Sequence, residues 1–133
     1  YWIKKNGTIM LLNDFFTINN RESSPTEIWA ELIIDPNHKI FKGHFPNLPV
    51  VPGVCMMQMI KEIMEDVLGK ATNLVHAPEM KFMAVINPQE NNRIQSTIKY
   101  TTDENGAIHI IASLYKDELV HFKFKGQLKV SDH

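Results

Sequence analysis

The sequence predicts an α+β fold in which a curved antiparallel sheet wraps around one long central helix. Apolar residues recur at helical spacing from Pro52 to Leu68, a span of about 25 Å at the α-helical rise. Beyond Gly69 the chain alternates apolar and polar residues, which is typical of strands with one buried face. Because a helix and a sheet each bury an apolar face against another element, we expect them to share one core. The chain of 133 residues is long enough for one domain, and we expect residues 1–133 to form it.

The segment before the central helix is predicted to contain a short helix and a strand. Thr8 to Phe16 carries apolar residues at helix-compatible spacing. Glu27 to Asp35 alternates, with these apolar side chains on one face: Ile28, Ala30, Leu32 and Ile34. Pro36 ends this strand because proline lacks the N–H that a sheet ladder needs.

The central helix has clear signals at both ends. Proline suits a helix start, where backbone N–H groups are unpaired, and Gly69 occupies the usual C-terminal position. The apolar face consists of Met56, Met59, Ile60, Ile63, Met64 and Val67. Val54, Cys55 and Met57 extend apolar character around the first turn, so we expect the helix start to be buried nearly all round.

Strands are predicted through most of the remaining chain. Their ranges are Thr72 to Ile86, Arg93 to Thr102 and Ala107 to Tyr115, followed by a last strand. In that last strand, one face is expected to carry Val120, Phe122, Phe124, Leu128 and Val130, and the other His121, Lys123, Lys125, Gln127 and Lys129. Pro78 should force a bulge or a sheet edge. Since exposed edges are removed by pairing two copies, we expect a homodimer or a dimer-based oligomer.

Composition excludes several function classes. With 14 basic and 15 acidic side chains, the overall charge does not indicate a nucleic-acid partner. No stretch approaches the roughly 18 apolar residues of a membrane span, and the first residues lack the apolar run of a secretory signal. A single cysteine, Cys55, rules out an internal disulfide, and the histidines show no metal-ligand spacing. We therefore expect a soluble, cytoplasmic protein without a metal.

The stretch from Phe41 to Val54 is the most distinctive in the chain. Pro46, Pro49 and Pro52 restrict the backbone, so the segment is predicted to be a rigid loop that leads into the central helix. His44 lies in this loop, and a histidine held in position is suited to act as a general base near neutral pH.

Two motifs in this stretch resemble a known family. Gly43-His44-Phe45-Pro46, followed by Val50-Val51-Pro52-Gly53-Val54, is similar to the signature of the β-hydroxyacyl-acyl carrier protein dehydratases. Glu79-Met-Lys-Phe82 and Asn87-Pro88 resemble later family segments more weakly. The resemblance covers most of the chain and implies the hotdog fold, in which a curved antiparallel sheet wraps a long helix.

The resemblance also implies a reaction and a site. Water would be lost from a 3-hydroxyacyl thioester, on acyl carrier protein or coenzyme A, to give a trans-2-enoyl thioester in fatty acid or related lipid biosynthesis, without a cofactor. His44 would remove the α-proton, and the N–H groups of Gly53 and Val54 would bind the thioester oxygen. In the family the site forms across a dimer interface. Candidate lining residues of the acyl tunnel are Phe45, Met57 and Phe82.

One position departs from the family pattern. Five residues after Gly53, where such enzymes place a carboxylic acid, this chain has Gln58, which cannot donate a proton to a leaving hydroxyl. Gln58 could hold the hydroxyl, and Glu62, one turn further on, is a candidate auxiliary acid acting through a water. The alternative is that Gln58, Glu62 and their neighbours Lys61 and Glu65 form only a solvent-facing stripe.

Three functions remain open from the sequence. Dehydration is the first, and hydrolysis of an acyl thioester at the same helix start is the second. The third is a pseudoenzyme that binds acyl chains or acyl carrier protein, or pairs with an active paralogue. A nucleophilic role for Cys55 is conceivable, but a buried core residue fits better. Basic residues that could meet an acidic carrier are Lys39, Lys42, Lys61, Lys81 and Arg93.

Overall fold

The computed structural model describes residues 10–43 and 49–131. In these ranges the strands are β1 (Phe16–Ser23), β2 (Glu27–Ile34), β3 (Thr72–Phe82), β4 (Arg93–Thr102), β5 (Ala107–Lys116) and β6 (Leu119–Val130). The helices are α1 (Ile40–Gly43) and α2 (Gly53–Leu68). All strands pair antiparallel in the order β1-β2-β4-β5-β6-β3, which leaves β1 and β3 at the sheet edges.

The core lies between α2 and the inner face of the sheet. The buried side of α2 includes Met56, Met59, Ile60, Ile63 and Met64, as its spacing predicted. On the sheet, the alternate residues of β2, β4 and β5 are buried or partly buried, as are those of β6 from Phe122 to Val130, which confirms the predicted period of two in these stretches. Gly126 of β6 has no room for a side chain, because an added Cβ would lie 2.5 Å from the carbonyl oxygen of His76. The predicted α+β arrangement of one helix against an antiparallel sheet is confirmed.

The predicted helix from Thr8 to Phe16 is wrong for the part of it that the structure describes. Residues 13–15 form a turn in which Leu11 O accepts the N–H groups of Asp14 and Phe15 at 3.0 and 2.7 Å. Asn13 has a left-handed φ of 67°, which a continuous helix does not accommodate. Leu11 and Phe15 are both buried, and their spacing of four imitates a helical pattern.

Strand β1, which follows this turn, was not predicted from the sequence. After Phe16 its side chains are mostly exposed, so the alternation that marks a half-buried strand is missing. It forms instead by pairing along β2 at the edge of the sheet.

The strand that contains Pro78 lies at the sheet edge, as predicted. Within the described ranges β3 has β6 as its one partner strand, and its register shifts between Leu74 and His76 and again between His76 and Glu79. Proline cannot donate to a ladder, so an edge with a bulge accommodates it. The strand ends at Phe82, four residues before the predicted limit.

The predicted limits of α2 are confirmed, but its first turn is more exposed than expected. Pro52 is the N-cap, and Gly69 ends the helix with a left-handed φ of 69° while its N–H donates to Glu65 O. Val54, which we expected to be buried, is 61% exposed. None of the helices in the described ranges is long and apolar enough to cross a bilayer.

His121 is buried, although the predicted alternation placed it on the exposed face of its strand. Strict alternation would put it on the outer face of β6, yet it is only 4% exposed. Leu114 of β5 pairs with Phe122 and Tyr115 with Val120, so the register shifts at His121 and the alternation is interrupted.

Candidate active site at the start of α2

The start of α2 provides backbone donors that have no partner among the described residues. The N–H groups of Cys55 and Met56 donate to Pro52 O at 3.0 and 3.2 Å. The N–H groups of Gly53 and Val54 precede these bonds and have no acceptor within the helix. Together with the positive end of the helix dipole, they can stabilise a developing negative charge.

Phe82 of β3 lies directly against this helix start. A Cβ added to Gly53 would be 2.9 Å from Phe82 Cε1, so the ring occupies the space that any other residue would need. The Phe82 ring stacks on Phe122 with 4.9 Å between centroids. Met57 is buried one turn beyond Gly53. The structure therefore brings together Gly53, Val54 and Phe82, which the sequence had proposed as donor and lining residues.

Two of the predicted site residues, His44 and Phe45, lie outside the described residues. The described residues before and after them are held by hydrogen bonds. On one side, His38 Nδ1 accepts the Ile40 N–H and its Nε2 donates to Asp14 at 3.1 Å. On the other side, Val51 N–H donates to Ile86 O at 2.9 Å. The sequence did not reveal that His38 connects α1 to the turn that precedes β1, because the contact joins residues 24 positions apart.

Gln58 and Glu62 form a hydrogen-bonded pair on α2. Gln58 Nε2 donates to Glu62 Oε2 at 2.8 Å. Leu11 N–H donates to Glu62 Oε1 and Oε2 at 3.0 and 2.8 Å, and Leu12 N–H donates to Oε1 at 2.6 Å. Glu62 is 1% exposed and Gln58 is half-buried, so the alternative of a solvent-facing stripe is wrong. The N-terminal segment covers this side of the helix, and the sequence carries no signal for backbone donors that reach across 50 residues.

The buried position of Glu62 changes its acidity. Loss of hydration raises the pKa of the Glu62 carboxyl above its ordinary value, and the nearby Glu65 adds to the rise. Hydrogen bonds from Gln58, Leu12 and Leu11 oppose the rise without cancelling it. A carboxyl with a raised pKa holds its proton to higher pH, which is the property that an auxiliary acid requires.

The raised pKa predicts how stability depends on pH. Because folding raises the pKa of Glu62, the protonated form favours the folded state, and that contribution to the free energy of unfolding is lost as the pH rises through the raised value. The variant Glu62→Gln has no carboxyl at this position. We expect the wild type to lose stability relative to this variant as the pH is raised above 4.5, the ordinary pKa of this carboxyl, in urea unfolding at a series of pH values. A difference that does not change with pH would contradict the prediction.

Cys55 is not suited to nucleophilic chemistry in this environment. Burial, with a smaller contribution from the charge of Glu62, raises the pKa of the thiol to about 12. The thiol therefore stays protonated at neutral pH and acts as a small core residue. Across the described ranges, no three His, Cys, Asp or Glu side chains converge as metal ligands.

Three of the five basic residues proposed to meet an acidic carrier are paired with acidic side chains. Lys61 contacts Glu65 at 3.0 Å, and Arg93 contacts Glu31 at 3.1 Å. Lys81 lies 3.7 Å from Glu79. Lys39 and Lys42 are exposed on the α1 side of the predicted loop.

Large exposed apolar side chains gather along β3, the segment that follows it and the start of α2. We call this the β3-edge surface, and its members are Val54, Leu74, Val75, Met80, Phe82, Met83 and Val85. An exposed apolar strand at a sheet edge is a typical contact surface for another polypeptide.

A long helix, α2, wrapped by a six-stranded antiparallel sheet is the arrangement of the hotdog fold. The family of ApeI dehydratase matches residues 20–126, and the chain belongs to this ApeI-like dehydratase family.

Curated relatives agree with this class. The chain is similar to the 3-hydroxyacyl-[acyl-carrier-protein] dehydratase FabZ of Oenococcus oeni, with 26% identity over 98 residues that cover 68% of this chain and 70% of the relative. It is also similar to FabZ of Rickettsia bellii, with 27% identity over 109 residues, 73% of this chain and 70% of the relative. These matches support a dehydratase-like role.

Solved structures support the fold. The dehydratase heterocomplex ApeI:P from Xenorhabdus doucetiae contains a chain with a TM-score of 0.67 and 22% identity, covering 84% of this chain and 96% of that one. A sigma28-regulated virulence protein from Campylobacter jejuni has a TM-score of 0.68 at 10% identity, with 98% and 94% covered. At such identities the likeness concerns the fold alone, and it confirms the predicted hotdog arrangement.

Proposed function

We propose that this protein removes water from a 3-hydroxyacyl thioester to give a trans-2-enoyl thioester. The observation that carries the proposal is the start of α2, where the unpaired N–H groups of Gly53 and Val54 lie beside the Phe82 ring in a chain of the dehydratase family. These donors suit the thioester oxygen, which gains negative charge when the α-proton is removed.

His44 is proposed as the base. It takes the α-proton, the electron pair of the C–H bond forms the new double bond, and the C–O bond to the 3-hydroxyl breaks. The departing hydroxide needs one proton to leave as water. His44 holds a proton after the first step, and Glu62 is the second possible source.

Gln58 is proposed to orient the 3-hydroxyl. Its amide is anchored by the 2.8 Å hydrogen bond to Glu62, and Glu62 in turn accepts the N–H groups of Leu11 and Leu12. An amide donates hydrogen bonds without releasing a proton, so Gln58 positions the leaving group and does not act as an acid. Glu62 would supply a proton only from its neutral form, which its raised pKa favours.

The acyl chain is proposed to lie along Phe45, Met57 and Phe82. Methionine and phenylalanine side chains give an apolar lining, and methionine adapts to chains of different length. Lys39 and Lys42, exposed before the loop, are proposed to contact the phosphate-bearing carrier, either acyl carrier protein or coenzyme A.

We also propose a homodimer formed through β3. Pairing of two β3 edges would join the sheets and cover the exposed apolar residues of the β3-edge surface. His44 of one subunit would then face the helix start of the other, as the family resemblance implies.

Introducing a charge on β3 should separate the subunits. In the variant Val75→Lys, a residue that is 58% exposed on the edge strand becomes charged, and burial of that charge in a dimer is costly. We expect a monomer in sedimentation velocity at concentrations where the wild type is dimeric. The matched control is Ile111→Lys, since Ile111 is 57% exposed but lies on β5, inside the sheet. Equal dissociation of both variants, or of neither, would contradict a β3 interface.

The direct test of the function is incubation of the purified protein with a 3-hydroxyacyl thioester. Appearance of the conjugated enoyl absorbance, without release of free thiol, is the expected result. Release of thiol without enoyl product would identify a thioesterase and overturn the proposal.

A pseudoenzyme is the second candidate, and the amide at position 58 is the observation that favours it. Such a protein would bind acyl chains or acyl carrier protein, or pair with an active paralogue that supplies the missing carboxylic acid. Binding of an acyl thioester with neither product formed is the result that would favour this candidate.

A further inference from the structure

His121 makes a set of contacts that its place on β6 did not predict. At the register shift, its main-chain carbonyl accepts the N–H groups of Met83 and Ala84 at 2.9 and 3.3 Å. Its Nδ1 lies 3.1 Å from Ala84 O. A carbonyl oxygen is only an acceptor, so Nδ1 carries the hydrogen and donates it.

The other ring nitrogen has no partner. His121 Nε2 is shielded from solvent and makes no hydrogen bond within the described structure. An unpaired buried acceptor costs free energy, which the contacts of Nδ1 and the carbonyl must offset. The ring therefore acts through Nδ1, as a donor to the segment that follows β3.

That segment is hydrogen-bonded to the residues just before α2. Two residues beyond Ala84, the carbonyl of Ile86 accepts Val51 N–H at 2.9 Å, and Val51 precedes the N-cap Pro52. Hydrogen bonds thus connect His121 to residues 83–86, and these residues to the start of the helix.

A second contact runs in parallel between the same elements. Phe122, next to His121 on β6, stacks on Phe82, and Phe82 packs against Gly53. β6 is therefore connected to the helix start in two ways, through an aromatic stack and through hydrogen bonds. Both would have to keep their geometry for the Gly53 and Val54 N–H groups to stay in place.

We infer that His121 is a positioning residue, which acts through residues 83–86 to hold the unpaired N–H groups at the start of α2. The effect on catalysis rests on the proposed function, whereas the effect of His121 on the position of the helix start can be measured without any activity. In a dehydratase, displacement of these N–H donors from the thioester oxygen would slow the chemical step more than it would weaken substrate binding, because negative charge develops on that oxygen during the reaction.

The test compares His121→Leu with His121→Asn. Leucine removes the Nδ1 hydrogen bond, which lowers the free energy of unfolding. It also removes the buried unpaired Nε2, which raises it, so the two effects on global stability oppose each other. Asparagine restores an N–H close to the position of Nδ1. In His121→Leu we expect hydrogen exchange of the Val51 amide to accelerate about tenfold, and the NMR chemical shifts of the Gly53 and Val54 amides to change. In the dehydration assay, kcat should fall about tenfold while KM stays within about twofold of the wild-type value. His121→Asn should restore all of these.

The control is His109→Leu, because His109 is an exposed histidine of β5 that pairs with Asp103 at 2.9 Å. Unchanged exchange at Val51 in His121→Leu would overturn the inference, and so would a uniform rise in exchange across the whole sheet. If exchange and shifts change as expected but the wild type forms no enoyl product, the positioning role holds and the proposed function fails.

Discussion

Replacing His44 by alanine is expected to lower kcat for dehydration by about 10² to 10⁴, the range that a general base contributes. The proton on the α-carbon then has no acceptor in the site, while the oxyanion donors at Gly53 and Val54 remain. Since only the chemical step is affected, KM should change little. Enoyl absorbance under saturating substrate measures the rate.

The control for this variant is His109→Ala, which removes an exposed histidine on the outer side of the sheet. Its kcat should match that of the wild type, and both variants should unfold at similar temperatures. A His44→Ala enzyme that keeps its rate would place the base elsewhere and would contradict the motif-based assignment.

Exchanging the two side chains of the Gln58–Glu62 pair should raise kcat. In the double variant Gln58→Glu with Glu62→Gln, a carboxylic acid stands where the family places one. The new amide can still accept the Leu11 and Leu12 N–H groups through its oxygen and donate to the new carboxyl through its nitrogen. We expect a rate gain of about 10² over the wild type, near the lower end of what an acid contributes.

The two single variants serve as matched controls for the exchange. Gln58→Glu alone brings a second carboxyl to the 2.8 Å contact with Glu62, so the two carboxyls must share a proton, and the free energy of unfolding should fall at neutral pH. Its gain in kcat should be smaller than that of the double variant. Glu62→Gln alone adds no acid and should not raise kcat. A double variant no faster than the wild type would show that Gln58 does not face the substrate.

Much of the fold could be predicted because local patterns report it. The length of α2 follows from apolar spacing and from Gly69, whose left-handed φ ends the helix. The edge position of β3 follows from Pro78, which cannot donate in a ladder. β1 could not be predicted, because an edge strand with exposed side chains carries little periodic signal.

The candidate site could be predicted only in part. Gly53, Val54 and Phe82 were proposed from a motif and its neighbours, and the structure places the Phe82 ring against Gly53. The environments of Glu62 and His121 could not be predicted from spacing. Helical periodicity placed Glu62 on a face that could have been solvated, and strict alternation placed His121 outside.

The sequence by itself determined the class of fold, the limits of the central helix and the residues that resemble a dehydratase motif. These features depend on backbone restrictions and on the period of apolar residues, which act over a few positions along the chain. The tertiary structure alone decided that Glu62 is buried beneath Leu11 and Leu12, and that His121 turns inward to hold residues 83–84. Both outcomes arise from backbone groups of distant segments that satisfy their hydrogen bonds on these side chains, and no local pattern encodes such a pairing.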